Sequence, residues 1–271
     1  MKRDGFAIHR CESCDLEFVH PMPDEAALAK VYDQHYFAGD GFGYRDYFGA
    51  ERDVADDKAR VRVPLLMEHG ATAGGRWLDV GCADGRFVLG AITKGFDAYG
   101  VERSAEARTM AAEEPKLAGR VFASMDEALS HGPFDVITAW DVLEHLAAPI
   151  ATLESLRAHL APHGLVGAVV PVIDNVTARR WPAMWDQYKP PEHLWFFSRA
   201  SLERALTRSI GATVVCSRSA WRREARWSGG DRSWAPWLQQ TEAFAWRAAV
   251  RTGVLHETAL DDSWLVIVRA E

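Results

Sequence analysis

The stretch WLDVGCADGRF, residues 77–87, decides the fold expected for this chain. Its first half is a short apolar run, and its second half places Gly81, Ala83 and Gly85 behind Asp79. Glycines at the point where a buried strand turns into a helix allow backbone N–H groups to approach a ligand closely. The pattern therefore predicts a strand, a cofactor-binding turn and the start of a helix within an α/β domain.

The spacing within and after this turn narrows the choice of cofactor. A dinucleotide fingerprint counted from Gly81 needs glycines where the chain has Ala83 and Arg86, and the phosphate-binding pattern G-x-x-x-x-G-K-[ST] is absent. About 20 residues after the turn, Glu102 ends the run AYGVE, where a carboxylate can accept hydrogen bonds from both ribose hydroxyls of a nucleoside. The spacing of Glu102 suits S-adenosylmethionine (SAM) and NAD alike.

Short apolar runs alternate with helix-like segments from about residue 76 onwards. The predicted strands are RWLDV (76–80), AYGVE (98–102), RVFA (120–123), FDVITAW (134–140) and GLVGAVVPV (164–172). The predicted helices are 86–94, 105–114 with Ser104 as N-cap, and 149–160. Nearly continuous apolarity is typical of parallel strands covered on both faces, and the short connections imply right-handed crossovers.

Two further apolar runs, residues 211–219 and 262–271, predict a C-terminal hairpin at one edge of the sheet, with a helix-compatible, Trp-rich stretch at 235–252 between them. The expected fold is therefore α/β, with a Rossmann-like, doubly wound sheet of about seven strands. The sheet is mostly parallel, with an antiparallel C-terminal hairpin strand. Residues 1–70 lack the alternation and contain helix-like runs at 23–37 and 51–67, which predict an N-terminal helical cap.

Composition and charge limit the classes of partner. The 271 residues are 48% apolar and 25% charged, as in globular proteins, and the formal net charge is -7. A negative chain opposes diffuse attraction to nucleic acid or anionic membranes, so a small or neutral partner is favoured. With no apolar signal region and no long apolar run, we expect a cytoplasmic protein, and four scattered cysteines do not form a disulfide framework.

Three segments resemble one protein family. Residues 79–85 read D-x-G-x-A-x-G, which resembles the first motif of class I SAM-dependent methyltransferases, with Ala83 in place of the middle glycine. FDVITAWDVLEHLAAP (134–149) and WDQYKPPEHLWFFSRASLERAL (185–206) resemble segments of bacterial small-molecule methyltransferases such as those of ubiquinone synthesis. The resemblance implies a SAM-dependent methyltransferase domain over 71–271. Close approach at Ala83 requires a negative φ there.

The resemblance also implies a set of SAM-binding residues at the carboxyl ends of the strands. Trp140 and Asp141 end the fourth strand, where the family faces the methionine part of the cofactor. The full predicted set is Asp79, Gly81, Cys82, Ala83, Gly85, Glu102, Arg103, Ser124, Met125, Trp140 and Asp141.

His193 is the predicted general base, with Glu192 beside it, because imidazole titrates near neutral pH. Glu192 would raise the basicity of His193 if the two side chains face each other. A packing or substrate-positioning role for His193 is as well supported as the general-base role. Related deoxysugar C-methyltransferases have a tyrosine three residues before the histidine, where this chain has Pro190, and its nearest tyrosine is Tyr188. Glu144 and His145 fit a solvated helix start at least as well as a catalytic role.

The N-terminal segment resembles the second half of a zinc knuckle found before some sugar-modifying methyltransferases. It has one C-x-x-C pair, Cys11 and Cys14, whereas structural zinc normally needs four ligands. His9 and His20 could complete a site, but we predict no bound metal and a packing role.

The roles of two other segments stay open. A lid over the cofactor or a place in the core is possible for the aromatic residues Tyr32, Tyr36, Phe37, Tyr44 and Tyr47. The basic run WRREARW (221–227) suits a solvated loop or a contact with a substrate phosphate better than it suits nucleic-acid binding.

Two classes of function follow. The favoured one is an enzyme that transfers the methyl group of SAM to an oxygen, nitrogen or carbon of a small molecule, such as a sugar or secondary metabolite. The alternative is a non-catalytic SAM-binding regulatory or partner module. A nucleic-acid methyltransferase is less favoured, because no N-P-P-Y-type sequence ends the fourth strand.

Overall fold

The structure, a computed structural model, describes residues 2–3, 5–31, 52–220 and 262–271. The N-terminal part contains three short strands and two helices. In chain order they are β1 (Lys2–Arg3), β2 (Phe6–Arg10), β3 (Glu17–His20), α1 (Glu25–Val31) and α2 (Arg52–Glu68).

The rest of the described chain alternates strands and helices, as predicted. The elements are β4 (Arg76–Val80), α3 (Arg86–Thr93), β5 (Asp97–Val101), α4 (Ala105–Ala112), β6 (Val121–Phe122), α5 (Met125–Leu129), β7 (Phe134–Trp140), α6 (Pro149–Arg157), β8 (Leu160–Pro171), α7 (Val176–Arg180), β9 (Trp195–Phe196), α8 (Arg199–Ile210), β10 (Ala212–Ser219) and β11 (Ser263–Ala270). Short 3₁₀ turns lie at Pro115–Leu117, Leu143–His145 and Pro182–Met184.

Seven strands form the main sheet in the order β10-β11-β8-β7-β4-β5-β6. β4 pairs in parallel with β5 and β7, and β5–β6 and β7–β8 are also parallel. β11 is antiparallel to both β8 and β10. The expected α/β fold is therefore confirmed, including its antiparallel C-terminal strands. The helix predicted at 235–252 lies outside the described residues.

Both faces of the sheet are buried, which explains why its strands are apolar throughout. On one face, Trp77, Val136 and Ile267 pack beneath α2 and α3. On the other, Leu78, Ile137 and Val268 belong to the core that α6 and α8 cover. Successive side chains of a strand point to opposite faces, so a strand buried on both sides needs apolar residues at every position.

Helix starts follow the capping residues in the sequence. The Ser104 hydroxyl accepts a hydrogen bond from the Ala107 N–H at 3.2 Å and caps α4, as predicted. Ser198 caps α8 in the same way, accepting from the Ser201 N–H at 3.0 Å. The helix predicted at 149–160 ends earlier, because the chain enters β8 at Leu160.

Helices α1 and α2 lie at the helix-like runs predicted at 23–37 and 51–67, whereas the described residues before them form strands that the helical cap did not include. These strands join β9 in an antiparallel sheet of order β1-β2-β3-β9, in which Ile8 and Val19 are buried. Its last strand comes from residues nearly 180 positions further along the chain, so no local pattern indicates the pairing. α2 packs on α3 of the main domain, and the proposed boundary at residue 70 stays a prediction. Among the described helices, none has the length and apolarity to cross a membrane.

Candidate active site

The turn between β4 and α3 is held against β5 by its own backbone. The N–H groups of Gly81 and Cys82 both donate to the Val101 carbonyl, at 2.8 and 3.1 Å. Gly81 has a φ of 69°, and a Cβ there would lie 2.6 Å from Cγ2 of Val142. Gly81 is therefore required both by backbone conformation and by the close approach of the segment after β7.

Ala83 departs from the negative φ expected at this position. Its φ is 48°, in the left-handed region, which costs a non-glycine residue about 1–2 kcal/mol. The Ala83 N–H donates to Oε2 of Glu102 at 3.0 Å. This bond helps to hold the strained turn and joins it to the residue predicted to bind ribose.

Glu102 lies at the end of β5, beside the turn. Its Oε1 accepts from the Ser104 N–H at 2.7 Å, so each carboxylate oxygen has one backbone donor and keeps a lone pair for another. Burial raises the pKa of Glu102, while the N–H groups of Ser104 and Ala83 oppose the shift. The position suits the predicted hydrogen bonds to ribose hydroxyls, which remain a prediction.

Asp79 is buried beneath the turn and contacts the neighbouring strand. The Thr138 hydroxyl donates to Oδ1 of Asp79 at 2.6 Å, and Nε1 of Trp77 donates to the same hydroxyl oxygen at 2.9 Å. Burial raises the pKa of Asp79 to about 7, although the Thr138 bond and the charge of Arg62 lower it. The carboxyl group therefore supports the turn from within the sheet.

Two basic residues of α2 lie at the carboxyl end of β7, and neither was predicted from the sequence as a site residue. The Arg62 guanidinium lies 5.1 Å from the Trp140 ring centre and 5.6 Å from that of Phe87. Nζ of Lys58 lies 3.6 Å from Oδ2 of Asp141. A usable signal was present, because Arg62 stands at helical spacing within the buried positions 59, 63 and 66 of α2.

Trp140 gives a test of whether the site suits SAM. Its ring is buried against Phe87, with centroids 5.5 Å apart, and its Nε1–H has no hydrogen-bond partner within the described residues. Gly85 is the N-cap of α3 and makes no side-chain capping hydrogen bond, so the N–H groups of the first turn of α3 favour an anionic group. A buried donor, an uncapped helix start and the Glu102 carboxylate match the carboxylate and ribose of SAM, so the residues fit this cofactor.

The other predicted cofactor residues, near the carboxyl ends of the strands, differ in burial and in the residues that they contact. Sγ of Cys82 lies 2.4 Å from where a Cβ on Gly100 would stand, so this side chain packs against β5. Arg103 is exposed, and Ser124 is exposed and caps α5 by accepting from the Glu127 N–H at 3.3 Å. Met125 packs against the core. Their roles toward SAM remain predictions.

A pair of imidazoles lies beyond the end of β7. The rings of His145 and His193 meet edge to face with centroids 4.5 Å apart. Nδ1 of His145 lies 3.0 Å from the Glu192 carbonyl, and Nδ1 of His193 lies 2.9 Å from the Gln187 carbonyl. Because a carbonyl only accepts, both Nδ1 atoms carry the proton, and each neutral ring keeps its lone pair on Nε2.

Burial holds both rings in the neutral form. Burial lowers the pKa of His145 to about 4, against the opposing charge of Glu192. The pKa of His193 is lowered well below its usual range, first by burial and then by the charges of His145 and Lys189. Both imidazoles are therefore proton acceptors at neutral pH, and burial makes each a weaker base than a free histidine.

Glu192 does not have the position that its predicted role requires. Its carboxylate lies 2.6 Å from Nζ of Lys189, and its charge raises the pKa of His145. These contacts do not show the arrangement, with the two side chains facing each other, on which Glu192 would raise the basicity of His193, and a catalytic role for Glu192 stays a prediction. Glu192 instead holds the Lys189 end of this turn and presents its backbone carbonyl to His145.

Glu144 completes this cluster from the 3₁₀ turn after β7. It is buried, and neither carboxyl oxygen has a hydrogen-bond partner among the residues that the structure describes. Burial and the charge of Asp141 raise its pKa well above the usual range, which favours the protonated acid. Ligand atoms of Glu144, His145 and His193 lie within 4.8 Å of one another, close enough to share a metal ion. The absence of a bound metal stays a prediction.

Tyr188, five residues before His193, contacts the N-terminal sheet. Its hydroxyl donates to Oε2 of Glu17 at 2.5 Å, and burial followed by this contact raises the pKa of the phenol. The side chain lines a cavity of about 880 Å³ between the N-terminal sheet and α7. Arg10, Asp174 and Ser198 supply polar groups to its wall, and Ile8 and Ile173 supply apolar ones.

The C-x-x-C pair lies in the turn between β2 and β3. In the described part of the chain, the metal-ligand spacing found for Glu144, His145 and His193 is not found around Cys11 and Cys14. The rings of His9 and His20 pack edge to face at 5.4 Å. The proposed lid aromatics at 32–47 and the basic run 221–227 lie outside the described residues.

We expect less than one zinc ion per purified chain, and we expect the double variant Cys11→Ser, Cys14→Ser to fold, because this turn offers two of the four ligands that structural zinc requires. Elemental analysis and thermal unfolding measure both outcomes, with Cys216→Ser as the control. One zinc ion per chain that survives dialysis against a chelator in the parent chain, and is lost in the double variant, would show that further ligands complete the site at Cys11 and Cys14.

The sheet order and the glycine turn at the carboxyl ends of β4 and β5 define a class of protein. The acidic residue after β5 is shared with NAD-binding sheets, but the dinucleotide fingerprint is not, because Ala83 and Arg86 stand where that fingerprint needs glycines. This class is the class I SAM-dependent methyltransferases.

Comparison with known families agrees with this class. A family model described as a methyltransferase domain (Methyltransf_23) matches residues 51–217, which is more than half of the chain. The chain belongs to this methyltransferase family. The predicted family and its cofactor, SAM, are therefore confirmed.

Similar curated proteins include ubiquinone biosynthesis O-methyltransferases. The one from Methylococcus capsulatus is 30% identical over 112 residues, which are 39% of this chain and 47% of that protein. The one from Caulobacter sp. strain K31 is 35% identical over 99 residues, which are 34% of this chain and 39% of that protein. The chain thus spans less than half the length of these curated relatives.

Solved structures share the fold. Magnesium protoporphyrin IX methyltransferase from Synechocystis PCC 6803, with bound SAH, superposes with a TM-score of 0.56 at 15% identity, covering 92% of this chain and 100% of that one. A SAM-dependent methyltransferase from Archaeoglobus fulgidus superposes with a TM-score of 0.51 at 16% identity, covering 78% and 92%.

Proposed function

We propose that the chain transfers the methyl group of SAM to an oxygen, nitrogen or carbon atom of a small-molecule acceptor. The observation that carries the proposal is the imidazole pair that begins in the 3₁₀ turn after β7, the strand next to β4. His145 and His193 each present a neutral Nε2 at the carboxyl edge of the sheet that the family uses for SAM. A purely cofactor-binding module has no need of two buried proton acceptors there.

SAM supplies an electrophilic methyl group on a sulfonium centre. In-line displacement at that carbon needs little covalent help, so the chain has to align the acceptor, exclude water and remove a proton. His193 suits the last task, because its Nδ1–H is fixed on the Gln187 carbonyl and its Nε2 can accept a proton. The same bond suits a positioning role, which is the second reading of His193.

The acceptor is a polar small molecule in this proposal. The relatives named for ubiquinone biosynthesis are O-methyltransferases, which favours an oxygen acceptor here too. The cavity beside Tyr188 mixes carboxylates, arginines and apolar walls. Such a lining suits hydroxyl-rich molecules with an apolar face, including sugars and secondary metabolites.

The alternative function is a SAM-binding module without catalysis, and a nucleic-acid methyltransferase is less favoured because of the net charge of -7. One experiment separates the three. Purified protein is incubated with isotopically labelled SAM and panels of phenols, nucleotide sugars and oligonucleotides, and demethylated SAM and methylated products are measured by mass spectrometry. Product from a phenol or sugar supports the proposal. SAM binding with no turnover on any panel supports the binding module.

Glu102→Ala should weaken SAM binding by about 1.5–3 kcal/mol, the range for a lost charge-assisted hydrogen bond. The substitution removes the acceptor predicted for ribose and releases the N–H groups of Ala83 and Ser104. Calorimetry with SAM measures the change, and Glu113→Ala, which removes an exposed carboxylate at the end of α4, is the matched control. Tight NADH binding with no response to SAM would contradict the assignment of the turn.

A further inference from the structure

The turn that joins β2 to β3 holds two cysteines outside the proposed active site. The Asp15 N–H donates to the Cys11 carbonyl at 3.0 Å, and the Cys11 N–H donates to the Leu16 carbonyl at 2.9 Å. The first of these bonds closes one helical turn, in which residues three apart lie on the same side. Cys11 and Cys14 therefore share one side of the turn, and both are free and partly exposed.

The Cys11 sulfur lies among hydrogen-bond donors. Its Sγ is 3.1 Å from the Ser13 hydroxyl oxygen, and the backbone N–H groups of Ser13 and Cys14 and the Cys14 thiol also contact it. Donors around a sulfur stabilise the thiolate, which is the nucleophilic form. These contacts lower the pKa of Cys11 to about 7, with the Ser13 hydroxyl as the largest cause.

The two remaining cysteines provide an internal comparison. Cys82 is buried in the cofactor turn, and burial raises the pKa of its thiol well above the usual range. Burial also raises the pKa of the Cys216 thiol on β10. Cys11 is thus the cysteine whose surroundings favour attack on another sulfur, and Cys14 is placed to react with it next.

We propose that Cys11 and Cys14 form a thiol–disulfide exchange site, in which Cys11 attacks a low-molecular-weight disulfide and Cys14 resolves the adduct. The site lies on the N-terminal sheet, between Arg10 and Asp15, which line the cavity beside Tyr188. This inference is independent of methyl transfer.

The exchange balances without any further oxidant. The Cys11 thiolate forms a bond to one sulfur of the disulfide RSSR, whose S–S bond breaks and releases one thiolate RS⁻. Cys14 then loses its thiol proton and attacks the Cys11 sulfur, releasing the second RS⁻. Two protein thiols are oxidised to one disulfide, and RSSR is reduced to two RSH once the thiolates take up protons.

Oxidised glutathione is the probe for the test. Incubation of the full chain with oxidised glutathione should give a protein that has lost two hydrogens, and peptide mapping should place the new bond between Cys11 and Cys14. Cys14→Ser should instead accumulate a glutathione adduct on Cys11, because its resolving thiol is gone. Cys11→Ser should react at least about tenfold more slowly, and the matched control Cys216→Ser should behave like the parent chain.

Alkylation of the parent chain with iodoacetamide gives an independent measurement. The rate at Cys11 should rise through a midpoint near pH 7. A midpoint at the ordinary thiol value, adduct formation first at Cys216, or thiols protected by a stoichiometric zinc ion would each overturn the proposal. Unfolding curves of the serine variants ensure that a loss of reaction is not a loss of fold.

Discussion

His193→Ala is expected to lower kcat by about 10²–10⁴ on an oxygen or carbon acceptor, while SAM affinity stays within a few fold. Such an acceptor loses a proton near the transition state, and Nε2 of His193 is the proposed proton acceptor. SAM affinity is spared because the site predicted for ribose and carboxylate lies at Glu102 and the start of α3. Steady-state assays of demethylated SAM, together with calorimetry, measure both quantities.

A second variant separates proton transfer from positioning. Asparagine can still donate to the Gln187 carbonyl, as Nδ1 of His193 does, but it has no basic nitrogen. His193→Asn should therefore lose as much turnover as His193→Ala if His193 is the base, and it should recover turnover if His193 only positions the segment. His163→Ala, an exposed substitution at the opposite edge of the sheet, is the matched control. Near-normal turnover of His193→Ala would exclude the base and direct attention to His145 or Tyr188.

The pH dependence of kcat tests the same hypothesis about His193. Burial above all holds the pKa of His193 well below 6.5, so acidification from about pH 8 to pH 6 leaves its ring neutral. We therefore expect no fall in kcat over this range from protonation of His193. A loss of activity centred near the pKa of a free imidazole, abolished by His193→Asn, would mean that the ring is solvated in the working enzyme.

The parts of this protein that were predictable from sequence share one physical origin. The strands of the main sheet are buried on both faces, so each reads as an apolar run, and each glycine or acidic residue at a carboxyl end breaks that run visibly. Gly81 and Glu102 are such breaks, which is why the turn and its carboxylate could be placed together. The cap at Ser104 was predictable because capping depends on residues three apart.

What could not be predicted depends on distant contacts. β9 joins β3 across nearly 180 residues, and Tyr188 meets Glu17 through that pairing. Adjacency in sequence did not predict contact between Glu192 and His193, since the Glu192 carboxylate contacts Lys189 while the ring of His193 packs against that of His145. The φ of Ala83 was missed because the Glu102 bond that supports it comes from another strand.

Asp79→Asn is expected to remove a large pH dependence of the free energy of unfolding. The folded state raises the pKa of Asp79 to about 7, above its value in the unfolded chain, because burial penalises the charged carboxylate. The stability linked to this group is fully present below about pH 4 and is lost as pH rises through about 7, by an amount of up to about 4 kcal/mol. Asparagine keeps the shape and can accept from Thr138, yet it never ionises.

Denaturant unfolding without cofactor at about pH 5 and pH 8 tests this linkage. The variant should gain about 3 kcal/mol in stability relative to the parent chain between the lower and the higher pH, since only the parent must bury a charge or bind a proton as the pH rises. Asp97→Asn is the control, because the pH dependence of stability linked to Asp97 has the opposite sign. The Arg120 hydrogen bond lowers the pKa of Asp97, so the parent chain should hold its advantage over that variant above about pH 4 and lose it on acidification. If Asp79→Asn changed stability equally at both pH values, Asp79 would be ionised in the folded chain and would stabilise the turn as a charge opposite Arg62.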